Sequence, residues 1–395
     1  MSAKGPIGDM RPAINARNVG LVEIYASNKN LLKRRFMTSA SSLRRFSCSS
    51  TIHEENMKTH TSRYKIFAGL ALSAGLVVVT AQSDVPVLRG ISAIGYTHAH
   101  VRALHNQDGT IARGAHNEIA TSNWSGYALA NYATGLTYTA AQLNWTVPRV
   151  SYVLPPPVCH LVNIGRRTTT ICTPPLVQAE YSASWVGIGG YCEDSNCMTV
   201  DNTLIQLGTA HNVSLHGATQ YYAWIEMPPA DPVIISPTYP NCNSLSCAYP
   251  VRPGDDITAS LTCQQNCTPF DPNQIWVLAM QDKTQNWSWS VQVPFSSSLL
   301  SAVWIQEAPV SAAGVLPLAD FRITKFVPTY NNNQAPNFPS GPNNTDGVDA
   351  ILMIDPYGET SNPSVAEESP TVGGAFNVCW GNNPNLSNIA PCAAP

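Results

Sequence analysis

From Asn123 onward, runs of four to twelve residues rich in apolar side chains recur, and in several of them the apolar residues fall at nearly every second position. Leu136–Val147, Ser182–Ile188, Thr203–Thr209, Gln220–Glu226 and Asp256–Leu261 are such runs. Gln274–Met280, Trp287–Val293, Ala302–Ile305, Phe321–Phe326, Ala350–Ile354 and Ala375–Trp380 continue the series. They are rich in Thr, Tyr, Trp and β-branched residues, and Gly, Pro, Asn and Ser clusters separate them. Period-two alternation bounded by turn residues predicts strands. No segment carries a helical period for more than two turns. Many short strands with turns between them predict an all-β domain, a sandwich or a barrel, over residues 121–395.

The chain upstream has a different texture. Met57 to Arg63 and Lys65 form a basic leader, Ile66 to Val79 is an uninterrupted apolar run, and Val79-Thr80-Ala81 offers small residues for cleavage. A run of about 14 residues is short for a bilayer span but suits a secretory h-region. Residues 57–81 therefore read as a signal peptide, and 1–56 as an N-terminal extension without a foldable pattern. Residues 82–120 are polar, with His98, His100, His105 and His116 scattered through them. They read as a disordered linker or a propeptide; a metal tract or a pH-released inhibitory segment are the alternatives.

Composition supports export and narrows the partners. Charged residues make up 12% of the 395-residue chain, and the net charge is −3, against about 25% charged in ordinary globular proteins. Nothing in that balance suits nucleic acid. Of eleven cysteines, Cys48 precedes the leader and ten follow it. Pairing near neighbours gives Cys159/Cys172, Cys192/Cys197, Cys242/Cys247, Cys263/Cys267 and Cys379/Cys392, as an oxidising compartment favours. Zinc hooks are the competing use of such gaps. Sequons stand at Asn123, Asn144, Asn212, Asn266, Asn286, Asn343 and Asn385.

Hydrolase motifs are missing. There is no Gly-x-Ser-x-Gly elbow and no His-Glu-x-x-His, and the Asp-Thr/Ser-Gly motif is absent as well. Every cysteine after the leader has a plausible partner. What remains is polar residues inside strands: Gln206 in Thr203–Gly208, Glu226 in Tyr221–Pro228 and Glu307 in Ala302–Pro309. Each strand reads as half-buried, and a solvated face is the plain reading of such residues. A carboxyl and a carboxamide meeting over one carbonyl would instead suit hydrolysis through water. Two carboxyls, Glu226 and Glu307, would suit a glycosidase, and strand aromatics would suit a carbohydrate-binding module.

In these same segments the chain resembles the glutamic peptidases, or eqolisins. The matching segments, in family order, are Asn123-Trp124-Ser125-Gly126, Trp145–Pro148, Ser184–Gly190, Leu204–Thr209, Tyr222–Glu226 and Ala302–Glu307. The resemblance implies a two-sheet antiparallel β-sandwich of the concanavalin A-like, jelly-roll type. It implies a catalytic pair at Gln206 and Glu307, with Trp185 and Glu226 lining the substrate cleft. It also implies polypeptide substrates, no cofactor and no metal; a secreted monomer acting in acid, free of the membrane once the leader is cut, is expected. Fungal members carry acidic residues where this chain has Gly189, Tyr222 and Val303, so the resemblance is closer to the bacterial and archaeal branch. Hydrogen bonds from Gln206 are expected to lower the Glu307 pKa against the upward push of burial.

Overall fold

The computed structural model describes residues 95–154, 158–164, 167–173, 178–235, 248–336, 348–354, 366–381 and 391–395. The extension 1–56, the leader 57–81 and the Cys242/Cys247 pair lie outside them. Among the described residues no helix is long and apolar enough to cross a membrane.

The alternation in sequence becomes alternation in burial. Asp256–Gln265 turns Ile257, Ala259, Leu261 and Cys263 inward and leaves the residues between them at least partly exposed, as a pleated strand with one covered face requires. One hydrogen-bonded path links the strands. It begins with Trp287–Pro294, Ile275–Asp282, Asp256–Gln265, Ala140–Thr146 and Ile323–Tyr330. Phe376–Trp380, Ala366–Glu368, Val348–Met353 and Trp124–Ala130 follow. It ends with Ser301–Glu307, Glu180–Gly189, Leu204–Val213, Thr219–Glu226 and Val233–Ile234. Neighbours on the path are antiparallel; Ile119–Thr121 adds in parallel to Val348–Met353.

The path folds over itself, so that Ala140–Thr146 and Asp256–Gln265 face Glu180–Gly189 across an apolar core. Leu143, Trp145, Val186, Leu207, Leu261 and Trp304 belong to this core. Polar tips of the buried indoles find partners across it: Trp145 Nε1 donates to Thr209 Oγ1 at 3.1 Å, and Trp304 Nε1 to the Gln142 carbonyl at 2.9 Å. The all-β expectation is met. The two layers are joined by continuous pairing, because Ile323–Tyr330, Phe376–Trp380, Ala366–Glu368 and Val348–Met353 carry the ladder from one layer to the other.

The second layer is covered on its far side as well. Leu204–Val213 and Ser301–Glu307 are buried along their whole length, where half-buried strands were expected. The cover is residues 95–121. Tyr96, Val101, Ile111 and Ile119 join Trp124, Trp185, Trp224 and Ile305 in a second apolar cluster. The segment is held by backbone hydrogen bonds, Thr97 with Val310 in both directions and Val101 N to the Gly190 carbonyl. Its own turns close through Leu104 with Ala120 and Ala112. These residues are therefore not a disordered junction.

Cys192–Cys197, Cys263–Cys267 and Cys379–Cys392 are disulfides. Cys172 is disulfide-bonded and stands opposite Cys159 in the register of its hairpin. Two sequons are closed to a glycan in this fold: Asn123 is buried between Arg102 N and the His100 carbonyl, and Asn212 is buried beside Tyr96.

Candidate active site

Period-two geometry decides which side chains can meet. Val303, Ile305 and Glu307 share one face of Ser301–Glu307, while Ala302 and Trp304 point into the core between the layers. The same parity puts Trp124, Trp185, Leu204 with Gln206, and Tyr222 with Trp224 and Glu226 on that outer face. Register then aligns them laterally: Gln206 is opposite Glu226, Ile305 opposite Trp185 and Glu307 opposite Trp124. Gly208 lets Trp185 approach, since a Cβ there would fall 2.4 Å from the Trp185 Cβ.

The carboxyl of Glu307 is fully buried. Trp185 Nε1 donates to Oε2 at 2.8 Å and Trp124 Nε1 to Oε1 at 3.3 Å. Oε2 also meets His98 Nδ1 at 2.8 Å. Burial, then the charge of Glu226, pushes the Glu307 carboxyl well above the usual range. Burial likewise pushes His98 well below its ordinary value. Both shifts favour uncharged partners, so the contact is a neutral hydrogen bond rather than an ion pair. His98 lies flat on Trp224, the ring centroids 3.7 Å apart.

Glu226 is held from the same segment. Thr97 Oγ1 donates to its Oε1 at 2.7 Å, and His98 N to its Oε2 at 2.9 Å. Burial raises its pKa to about 8 despite these donors. Gln206 Nε2 donates to the His98 carbonyl at 2.6 Å and to Glu226 Oε2 at 3.3 Å. Its Oε1 is buried with no hydrogen-bond partner among the described residues.

The structure thus brings Trp185, Gln206, Glu226 and Glu307 onto one face, and His98 touches the last three. Gln206 does not hydrogen-bond Glu307, and the Glu307 carboxyl is raised rather than lowered. His98 takes the place between them. Sequence reasoning had His98 only as one of several scattered histidines. The partners are more than 100 residues away in the chain, and no local pattern marks the contact.

Two of the three departures have visible causes. Gly189 has φ +84°, and a Cβ there would sit 1.7 Å from the Thr203 carbonyl; the Asp201 carboxylate lies 3.0 Å from that point. Tyr222 spends its hydroxyl on Tyr96.

The sequence signature of the peptidase A4 family matches residues 122–360, and the chain belongs to this family. It is a glutamic-type endopeptidase, which sets aside the carbohydrate-binding and glycosidase readings. Scytalido-glutamic peptidase, solved with a transition-state analogue inhibitor, is similar at 16% identity. The match covers 66% of this chain and 98% of that one, with a TM-score of 0.42. Aspergilloglutamic peptidase from Aspergillus niger is similar at 21% identity over 51% of this chain and 99% of its own, with a TM-score of 0.34. A comparison with curated protein sequences finds no match.

Proposed function

We propose that residues 121–395 form an acid endopeptidase in which Glu307 is the general base and Gln206 the oxyanion stabiliser. On this reading residues 82–120 form a propeptide, of which residues 95–120 fill the cleft. The observation that carries it is the seat of His98: one residue of the chain's own extended segment hydrogen-bonds Gln206, Glu226 and Glu307 together. A face that holds an extended segment by strand-like pairing at Thr97 and Val310 can hold a substrate in the same manner.

Glu307 takes a proton from a water attacking the scissile carbonyl and returns it to the leaving amine. Gln206 accepts from that water through its unpartnered Oε1 and donates Nε2–H to the tetrahedral oxyanion. A carboxamide does not titrate, so this donor survives in acid where an imidazole base is lost. Once the segment leaves, solvent relieves the burial of Glu307. The Trp124 and Trp185 donors then favour its ionised form. Trp185 and Glu226 position the substrate.

The same chemistry accounts for activity in acid. Released, His98 regains an ordinary pKa; bound, it stays neutral beside Glu307, Glu226 and His211. Acid below about pH 6.5 therefore favours release. Disulfides fit secretion to an oxidising compartment through the 57–81 leader, and the protein acts as a jelly-roll-type monomer on unfolded polypeptides. The losses at Gly189, Tyr222 and Val303 set it nearer the bacterial and archaeal branch.

The test is acid incubation of the purified chain with denatured casein near pH 3, pepstatin present, reading new N-termini. Gln206→Ala should keep the fold and lose about 10²–10³ in turnover, the usual cost of one oxyanion donor. Wild-type cleavage by that variant would remove Gln206 from the mechanism.

A further inference from the structure

A second group of carboxylates lies outside the cleft and takes no part in the proposed reaction. His116 and Glu118 come from the turn that ends the covering segment. Glu367 and Glu368 come from the strand Ala366–Glu368. All four line one cavity of about 320 Å³, together with Tyr127 and Cys392. Glu118, Glu367 and Glu368 are each at most 5% exposed.

The donor atoms converge. His116 Nδ1 lies 3.0 Å from Glu118 Oε1 and 3.5 Å from Glu367 Oε1, and the three groups have ligand atoms within 4.8 Å of one another. A tetrahedral cation with bonds of about 2.0–2.2 Å spaces its ligand atoms roughly 3.3 Å apart, between the two measured edges. The other oxygens are anchored by backbone amides. His116 N donates to Glu118 Oε2 at 2.9 Å and Cys392 N to Glu367 Oε2 at 2.8 Å. Both Oε1 atoms are thereby turned to the imidazole, the arrangement by which outer partners orient metal ligands. Gly114 leaves the room needed, since a Cβ there would fall 2.4 Å from Glu118 Oε2.

Glu368 supplies an independent sign. Glu368 lines the same cavity, and its Oε2 is buried with no hydrogen-bond partner among the described residues; burial, then the charges of Glu118 and Glu367, disfavour its ionised form. A buried carboxylate oxygen without a donor is costly unless a cation compensates it.

We propose that His116, Glu118 and Glu367 bind one divalent transition-metal cation, with Glu368 lining the same cavity. One imidazole among carboxylates suits Zn²⁺ or Mn²⁺ better than Ca²⁺, which takes six to eight oxygens. The ion clips the covering segment, through His116 and Glu118, to the strand at Glu367 and to the stretch that Cys379–Cys392 fastens.

Isothermal titration of the purified, chelator-treated full chain with Zn²⁺, Mn²⁺ and Ca²⁺ at pH 7 tests the site without reference to peptidase activity. One Zn²⁺ or Mn²⁺ per chain should bind, at least tenfold more tightly than Ca²⁺. His116→Ala and Glu367→Gln should each weaken it at least tenfold, while His216→Ala, in an exposed loop, should not. Co²⁺ should give visible absorption bands that the same two variants remove, a readout that needs only folded protein. His116 is 54% exposed, so its replacement leaves the core intact. Absence of binding by all three cations, or binding that His116→Ala and Glu367→Gln leave unchanged, overturns the proposal.

Discussion

Two sets of buried carboxylates face the same segment and are satisfied in opposite ways. In the cleft, Glu226 and Glu307 have a protein donor for every oxygen: Thr97, His98 and Gln206 for one, Trp124, Trp185 and His98 for the other. At the second set, backbone amides hold one oxygen each of Glu118 and Glu367, a single half-exposed imidazole, His116, faces the other two, and Glu368 Oε2 has no donor among the described residues. Burial costs a carboxyl the same in both places. What differs is how many donors the chain supplies, and on the two proposals above that difference separates a filled substrate cleft from a site for an ion.

The largest change should come from Glu307→Gln, which keeps the shape of the cleft and removes the proposed base. Casein cleavage should fall by about 10²–10⁴, the usual share of general base catalysis. Glu118→Gln should leave the cleavage rate alone. Equal losses in both variants would erase the distinction between the sets.

His98→Ala removes the imidazole from Glu307 and Trp224 without touching the base. Losing a hydrogen bond to a buried carboxyl, worth about 1.5 kcal/mol, should speed segment release roughly tenfold. The timed appearance of fragments cut after acid shift measures this. A variant as slow as wild type would show that other contacts hold the cleft shut.

Stability against pH sharpens the contrast further. In the folded chain Glu226 titrates near 8 and Glu180 near 7, against 4.5 unfolded. The native state then binds more protons between pH 4.5 and 8, so stability falls as pH rises through that window. His98 and His211 are depressed, His211 to about 3, and their contribution is lost as pH falls below 6.5. The melting temperature should therefore decline on both sides of mildly acidic pH. Glu226→Gln should flatten the alkaline limb and His98→Ala the acid one; unchanged limbs would contradict the assignment.

The smallest effect belongs to Cys263→Ser with Cys267→Ser. That bridge joins positions four apart in the chain, contributes to neither set and is worth about 2 kcal/mol. Melting should drop by several degrees, with turnover unaffected.

Much of this was legible in the sequence. Period-two runs gave the strands, and parity alone puts Gln206, Glu226 and Glu307 on outward-facing positions once one core side is chosen. The near-neighbour cysteines at 192/197, 263/267 and 379/392 paired as their spacing suggested. Residues 95–120 were misjudged because composition counts only a segment's own apolar residues. Here the fixing partners are Val310, Gly190 and the second layer's indoles, supplied by strands far along the chain. Asn123 and Asn212 look like glycan acceptors for the same reason: a tripeptide motif carries no record of what packs over it.

The flat contact between His98 and Trp224 gives the molecule a built-in optical gauge. While the imidazole lies against the indole, that fluorophore is shielded and next to a ring that can quench it. The proposed departure of the segment would exchange the ring for water, which reddens indole emission. Such an opening would be visible in real time in unlabelled protein, before any bond is cut.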